Sequence, residues 1–245
     1  MTSDRLTEAD KKHWHPLPSF FEWLANQIPA KARVLDVGAG ILPFPRANVL
    51  VDAADPTALP GQEVVKCDFA RNPLPFPDKS FEFVYCRHVL EDMHDPFGLC
   101  REMERVGKAG YIETPSPLAE MCRGVDGNSP PWRGYYHHHW IIWTHEGELR
   151  FVTKYPITEY MNFEGCNLAD KFRTGPVHWN THHLWKERIR ISHRQTPVDY
   201  HIMKDYGPML ASAIDQTIVS CDAFWHEIPR ELRIPQVGLN QVSAA

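Results

Sequence analysis

Three short apolar runs, VLDV (34–37), NVLVDAA (48–54) and EVVKCDF (63–69), each carry an aspartate at or near the end and give way to turn residues. A fourth run opens FEFVYCRHVL at about 81–86, and AGYIETP (109–115) makes a fifth. Between them, DPFGLCREMERVG (95–107) has helical spacing: Asp95 is placed to cap, Pro96 suits the first turn, and Leu99, Met103 and Val106 share a face. Brief apolar runs bounded by turns and alternating with helical segments specify an α/β chain with a doubly wound, mostly parallel sheet. Ligands of such sheets lie over the carboxyl ends of the strands near the switch in strand order. Asp36, Asp52 and Asp68 should therefore approach one cleft.

The flanks add to this frame. WHPLPSFFEWLANQI (14–28) sets Phe20, Phe21, Leu24 and Ile28 at helical spacing behind Ser19 as N-cap, ending at Pro29. Residues 115–136 are rich in Pro, Gly and Ser, after which HHHWIIWT, HEGE and LRFVTK (138–154) read as an antiparallel hairpin appended to the parallel sheet. A short helix is expected within 157–172, and a longer one after Pro208, with Met209, Leu210, Ala213, Ile214, Thr217, Ile218, Cys221 and Phe224 on one stripe. WKERIRISHR (185–194) reads as a half-buried strand. With no internal repeat and no clear boundary, a single domain is expected: a helical segment at 1–30, a core at 31–156 and an elaboration at 157–245.

Several function classes are disfavoured by the totals. A net charge of −5 over 245 residues gives no basis for extensive phosphate-backbone contact, so no nucleic-acid partner is expected. No run reaches the ~18 uninterrupted apolar residues of a membrane span, and the opening residues lack the apolar region of a secretory signal. The six cysteines are scattered without a CxxC pair, as reduced thiols would be, and a cytoplasmic setting is expected.

The loop VLDVGAGILPFP (34–45) narrows the ligand. Gly38 and Gly40 permit close backbone approach, and Asp52 falls where a carboxylate accepts both hydroxyls of a ribose. Asp68 and Phe69 are suited to the amine and one face of an adenine. Leu42 and Pro43, however, stand where a third glycine would help cradle a pyrophosphate, and Asp36 would repel one. An adenosine-bearing cation without phosphates, S-adenosylmethionine (SAM), satisfies both halves of the loop.

Together with VDAADP, KCDFARNPLPFPDKSFEFVYCRHVLEDMHDP and REMERVGKAGYIETP, this loop resembles the class I SAM-dependent methyltransferases over roughly residues 33–115, in particular the small-molecule type of ubiquinone and menaquinone biosynthesis. The resemblance implies a seven-stranded sheet with a terminal antiparallel hairpin. It places Asp36, Gly38 and Gly40 at the methionine part of SAM, Asp52 at the ribose, Asp68 and Phe69 at the adenine, and Arg87 and His88 beside the sulfonium. Two departures stand out. Leu42 replaces the third glycine, and the usual LEH after the fourth strand is Leu90-Glu91-Asp92.

Methyl transfer needs alignment of the acceptor and, for a hydroxyl, removal of its proton. RGYYHHHW (133–140) is the densest cluster of candidates. On a strand, His137 and His139 would share a face opposite His138, so His139 or His137 is expected as the base or orienting group, with His88 as the other candidate. Arg123 and Arg133 would suit an acidic acceptor, and Trp132, Tyr135, Tyr136, Trp140 and Trp143 could wall an aromatic or sugar one. His178, His182 and His183 in HWNTHH would offer metal ligands if helical, but Gly175-Pro176 and Asn180 oppose a helix there, and no metal is expected. The expected function is SAM-dependent methylation of a small molecule at oxygen. The alternatives are a catalytically silent SAM-binding module and an NAD-dependent dehydrogenase, the latter opposed by Leu42, Pro43 and the acidic cleft.

Overall fold

The computed structural model describes residues 18–125, 132–161, 176–194 and 202–228. Strands β1 (Val34–Val37), β2 (Val49–Asp52), β3 (Glu63–Lys66), β4 (Phe83–Arg87) and β5 (Ala109–Pro115) pair in parallel in the order β3-β2-β1-β4-β5. The order reverses between β1 and β4, and their carboxyl ends mark the expected ligand crevice. Every residue of β1 and β4 is buried, which is why both read as nearly unbroken apolar runs; β3, at the edge, is largely exposed and carries Glu63 and Lys66.

The sheet is completed differently from the sequence expectation. Strands β6 (Trp140–His145) and β7 (Glu148–Thr153) do form the antiparallel hairpin, but they belong to a second sheet with β9 (Ile191–His193). The antiparallel strand on the main sheet is β8 (Asn180–Lys186), paired with β5 from Ala109↔Lys186 to Pro115↔Asn180. Among the described residues the main sheet thus has six strands, against the seven expected, within the same α/β class. The run 185–194 is divided between the end of β8, a turn and β9.

Helix α1 (Pro18–Gln27) starts one residue before Ser19, so Ser19 is not its cap. Helix α2 (Pro96–Val106) is capped as expected, the Asp95 side chain accepting from Gly98 N–H. It is also the only α-helix among the β1–β5 connections, the others being loops. Helix α3 (Pro117–Met121) follows β5, and α4 (Gly207–Glu227) buries Leu210, Ala213, Ile214, Thr217, Cys221 and Phe224 of the expected stripe, while Met209 and Ile218 are half-buried. The short helix expected in 157–172 is a 3-10 turn at Pro156–Tyr160, and 162–172 lie outside the described residues. No helix among the described residues is long and apolar enough to cross a membrane.

Alternation along the strands divides the core between two faces. Val84, Cys86 and Ile112 pack on one side with α2 and with Ile142, Leu149 and Phe151 of the second sheet. Phe83, Tyr85 and Tyr111 pack on the other with α1 and the Phe224-Trp225 end of α4. On the first face, Gly110 makes room for the indole of Trp185, its partner across β5 and β8. A Cβ at Gly110 would lie 2.2 Å from Val84 O and 2.7 Å from the Trp185 ring. Gly110→Ala should therefore lower unfolding stability by about 1–3 kcal/mol, and an unchanged urea midpoint would contradict this packing.

Candidate functional site

Register places the polar stripe of the site on one face of the sheet. Asp36 pairs with Tyr85, Arg87 with Glu113, and Glu113 with His182. Cross-strand partners share a face, so one acidic side chain, one guanidinium, a second carboxylate and an imidazole line up across β1, β4, β5 and β8. At the β1–β4 end they open into a hollow of about 160 Å³ lined by residues of the 36–42 loop with Tyr85, Arg87 and His88.

The loop is built around Asp36 and Phe44. Asp36 is buried, its Oδ2 accepts the Phe44 N–H at 2.7 Å, and the Phe44 ring stacks on Tyr85 with centroids 4.5 Å apart. Gly38 and Gly40 take left-handed φ values of 73° and 51°. A Cβ at Gly38 would lie 2.3 Å from Val89 Cγ2, whereas nothing lies within 4 Å of one at Gly40. Gly38 therefore serves packing and Gly40 leaves an open side to the hollow. An aromatic anchor replaces the missing third glycine, and Ile41 and Leu42 remain 77% and 39% exposed at the rim.

The strand-end aspartates are brought together only in part. Asp52 ties the second strand to the loop: Oδ2 accepts from Gly40 N–H at 3.0 Å and Oδ1 from Ala54 N–H at 2.9 Å. It lies next to the hollow without lining it. Asp68 and Phe69 stand beyond the end of β3, half-buried, with Asp68 3.2 Å from Arg71. The strand expected to run to 69 ends at Lys66.

Arg87 and Glu113 form a buried ion pair at 2.8 Å. Glu113 also accepts from Asn180 at 2.8 Å and from the Tyr111 hydroxyl at 2.6 Å, and that hydroxyl meets His182 Nδ1 at 2.6 Å. Burial opposes ionisation of Glu113, but the Arg87 charge and then contacts from His88 and His182 outweigh it, holding the carboxyl well below its usual range. His88 has a left-handed backbone, φ 53°, which turns its side chain out of the strand alternation. Its Nδ1 lies 3.2 Å from Glu91 Oε1 and its Nε2 3.7 Å from Glu113 Oε1. Burial and Arg87 disfavour the imidazolium, yet the two carboxylates prevail and raise the His88 pKa.

The three consecutive histidines do not lie on a strand; β6 begins at Trp140. His137 and His138, rather than His137 and His139, converge, with Nε2 atoms 3.6 and 3.7 Å from Asp92 Oδ1. His138 is buried and its Nδ1 is 2.6 Å from Oε1 of Glu120, whose other oxygen accepts from Lys154. His139 is exposed and stacks on His94 with centroids 4.2 Å apart. Burial and the neighbouring His94, His138 and His137 lower its pKa. A second hollow, about 390 Å³, lies between Trp132, Tyr136, His138, Lys154, Tyr155 and Glu159.

The remaining candidates serve the fold. Arg123 pairs with Glu159 at 3.0 Å, and Arg133 donates to the carbonyls of Met121 and Met161. Trp143 is buried, Trp140 donates to Met93 O at 2.8 Å, and Tyr135 stacks on His138. His178 sits in a 3-10 turn 2.7 Å from Asp222, while His182 and His183 lie on β8 and point to opposite faces. The helix that would have placed His178 and His182 one turn apart does not form. Among the residues missed in the sequence, Glu113 was detectable as a charge inside an apolar run. Glu91, Glu120 and Lys154 carry no local signal, since their partners are distant in the chain.

The family described as "Methyltransferase domain" matches residues 19–112, a segment that includes every residue lining the hollow at the β1–β4 end. The match covers less than half of the chain. No curated protein matches the chain. Similar solved structures include the YcgJ protein of Bacillus subtilis, at 24% identity over 39% of this chain and 50% of that one, TM-score 0.33. Others are SAM-dependent methyltransferases of Aquifex aeolicus (18%, 46% and 75%, 0.32) and Mesorhizobium loti (20%, 69% and 76%, 0.35). The chain spans about half the length of YcgJ and of several other solved structures it resembles.

Burial raises the Asp36 pKa from 3.8 to about 7, against the Phe44 hydrogen bond and with a further push from Asp52. Below pH 3.8 the group is protonated in both folded and unfolded chains. Between there and about pH 7 the unfolded chain ionises while the fold keeps its proton. Stability should fall through that window by up to roughly 4 kcal/mol and level off above it. Asp36→Asn should remove this component of the pH dependence in urea unfolding series; an identical profile for both proteins would refute the assignment.

Proposed function

We propose that this protein transfers a methyl group from SAM to an oxygen of a small-molecule acceptor. The observation that carries the reading is the convergence of Asp36, Gly38, Gly40, Arg87 and His88 on one hollow at the switch between β1 and β4, inside the segment matched by the methyltransferase family. The residues present fit the cofactor. Asp36 supplies a carboxylate for a cationic ligand, and the open side of Gly40 allows close approach. The buried Tyr85 hydroxyl, which has no hydrogen-bond partner among the described residues, is part of a side chain that lines the same hollow. At about 160 Å³ the hollow suits part of an adenosyl ligand. The rest would extend past Gly40 toward Asp52, Asp68 and Phe69, with Ile41 and Leu42 covering its apolar surface.

When bound, SAM supplies an activated methyl carbon on a cationic sulfur. Asp36 would lose its proton to face that charge, so affinity rises as pH passes through about 7. Arg87 adds little net positive charge, because Glu113 neutralises it. On the acceptor side, the aromatic and polar hollow beside His138 supports a small-molecule site rather than a macromolecular one. His139 is the best supported base: its lowered pKa keeps it neutral near pH 7, whereas His88 is held between two carboxylates. His137 lies beside Asp92 and is the weaker candidate. A single domain and a cytoplasmic setting complete the proposal, the latter supported by the free thiols of Cys67, Cys86, Cys100, Cys122 and Cys221.

Calorimetry with SAM and its demethylated product should show binding that Gly38→Ala weakens about tenfold or more through displacement of the loop. Incubation with metabolite pools should yield a species heavier by one CH2 only when protein and SAM are both present. His139→Ala should slow its formation by about 10²-fold. Absence of heat with either nucleoside would defeat the reading, and binding without any methylated product would leave a silent SAM-binding module in its place.

A further inference from the structure

Asp92 stands where the family pattern has the histidine of LEH, and the fold brings two other histidines to it. Its Oδ1 is 3.6 Å from His137 Nε2 and 3.7 Å from His138 Nε2, and the three candidate ligand atoms lie within 4.8 Å of one another. Two ligand atoms held about 2.1 Å from one ion in a tetrahedral arrangement are roughly 3.4 Å apart. The two contacts with Asp92 therefore need to close by only a few tenths of an ångström. The His137 side chain is 50% exposed and can turn to close the third.

We propose that Asp92, His137 and His138 bind a divalent first-row transition-metal ion through one carboxylate and two imidazoles, with its other coordination positions open.

The surroundings of His138 support this independently of the cluster itself. The Glu120 carboxylate accepts from Nδ1 of His138 at 2.6 Å and is held on its other oxygen by Lys154, all three side chains being at least nine-tenths buried. A proton fixed on Nδ1 leaves the lone pair of the neutral ring on Nε2, the atom turned toward Asp92. This carboxylate–imidazole arrangement orients metal-bound histidines and raises their basicity. The local charge is also complementary. Glu91, Asp92 and Glu120 all act electrostatically on His138, while Lys154 offsets one of them, and a divalent cation would balance the remainder. Asp92 and His137 are about half exposed, which gives the ion a path from solvent, and His138 also lines the 390 Å³ hollow. Two imidazoles and a carboxylate favour a first-row transition ion over magnesium or calcium, which prefer oxygen ligands.

The test uses the full chain without a tag, stripped with chelator and titrated with Co2+ and then Zn2+. One Co2+ per chain is expected, with visible ligand-field absorption that Zn2+ abolishes by displacement. Asp92→Asn and His137→Gln, both at half-exposed positions, should each weaken binding at least about tenfold while thermal melts remain cooperative. His94→Gln and His139→Gln, which alter the neighbouring stacked pair, should leave it unchanged. Failure of the wild-type protein to take up Co2+, retention of binding in the Asp92→Asn/His137→Gln double variant, or its loss in the His94→Gln/His139→Gln double variant would each overturn the proposal. The readout is metal binding alone, so it stands or falls separately from methyl transfer.

Discussion

The buried pairing of Arg87 with Glu113 is the interaction on which the arrangement of this site depends. Two charges in the middle of a sheet are tolerable only when their remaining hydrogen-bonding capacity is satisfied, and removing one partner of such a pair typically costs roughly 3–5 kcal/mol. Here Tyr111 and Asn180 satisfy Glu113 from β5 and β8, His182 lies 4.0 Å away and bonds the Tyr111 hydroxyl, and His88 approaches from the loop after β4. The pair thereby locks three strands in register and fixes the side wall of the hollow that begins at Asp36. It also keeps the guanidinium from dominating the local field, so the pocket remains hospitable to a cationic ligand.

Much of the hollow between β1 and β4 was legible because it depends on local chemistry. VLDV, VLVD and FVYCR are largely buried strands, and short parallel strands of that kind are apolar along most of their length. The glycines at 38 and 40 and the aspartates at 36 and 52 could be placed because each answers a backbone or charge requirement within a few residues. Asp68 was harder to place. Its strand is a short, exposed edge, where the apolar pattern fades before the aspartate is reached.

The region of the three consecutive histidines was much less legible. HHHW follows a strand-like apolar pattern, but the chain turns before Trp140, so His137 and His138 point together instead of alternating. Glu120, Lys154 and Asp92 converge from a helix after β5, the end of the second sheet and the loop after β4. No spacing rule links positions so far apart. HWNTHH likewise has too little helical or strand bias to reveal itself as the antiparallel edge. What settles it is pairing with β5 and the fit of Trp185 over Gly110.

That pairing bears on how the molecule assembles. Residues 109–115 acquire their second neighbour only when residues 180–186 arrive, a long way further along the chain. During synthesis, β5 emerges as an unprotected margin with its amides and carbonyls facing outward, and it must wait for the closing strand. The non-local closure belongs to a late and slow stage of folding. Because Glu113 draws two of its partners, Asn180 and His182, from that same strand, the polar centre of the pocket cannot mature before residues 180–182 have joined the sheet.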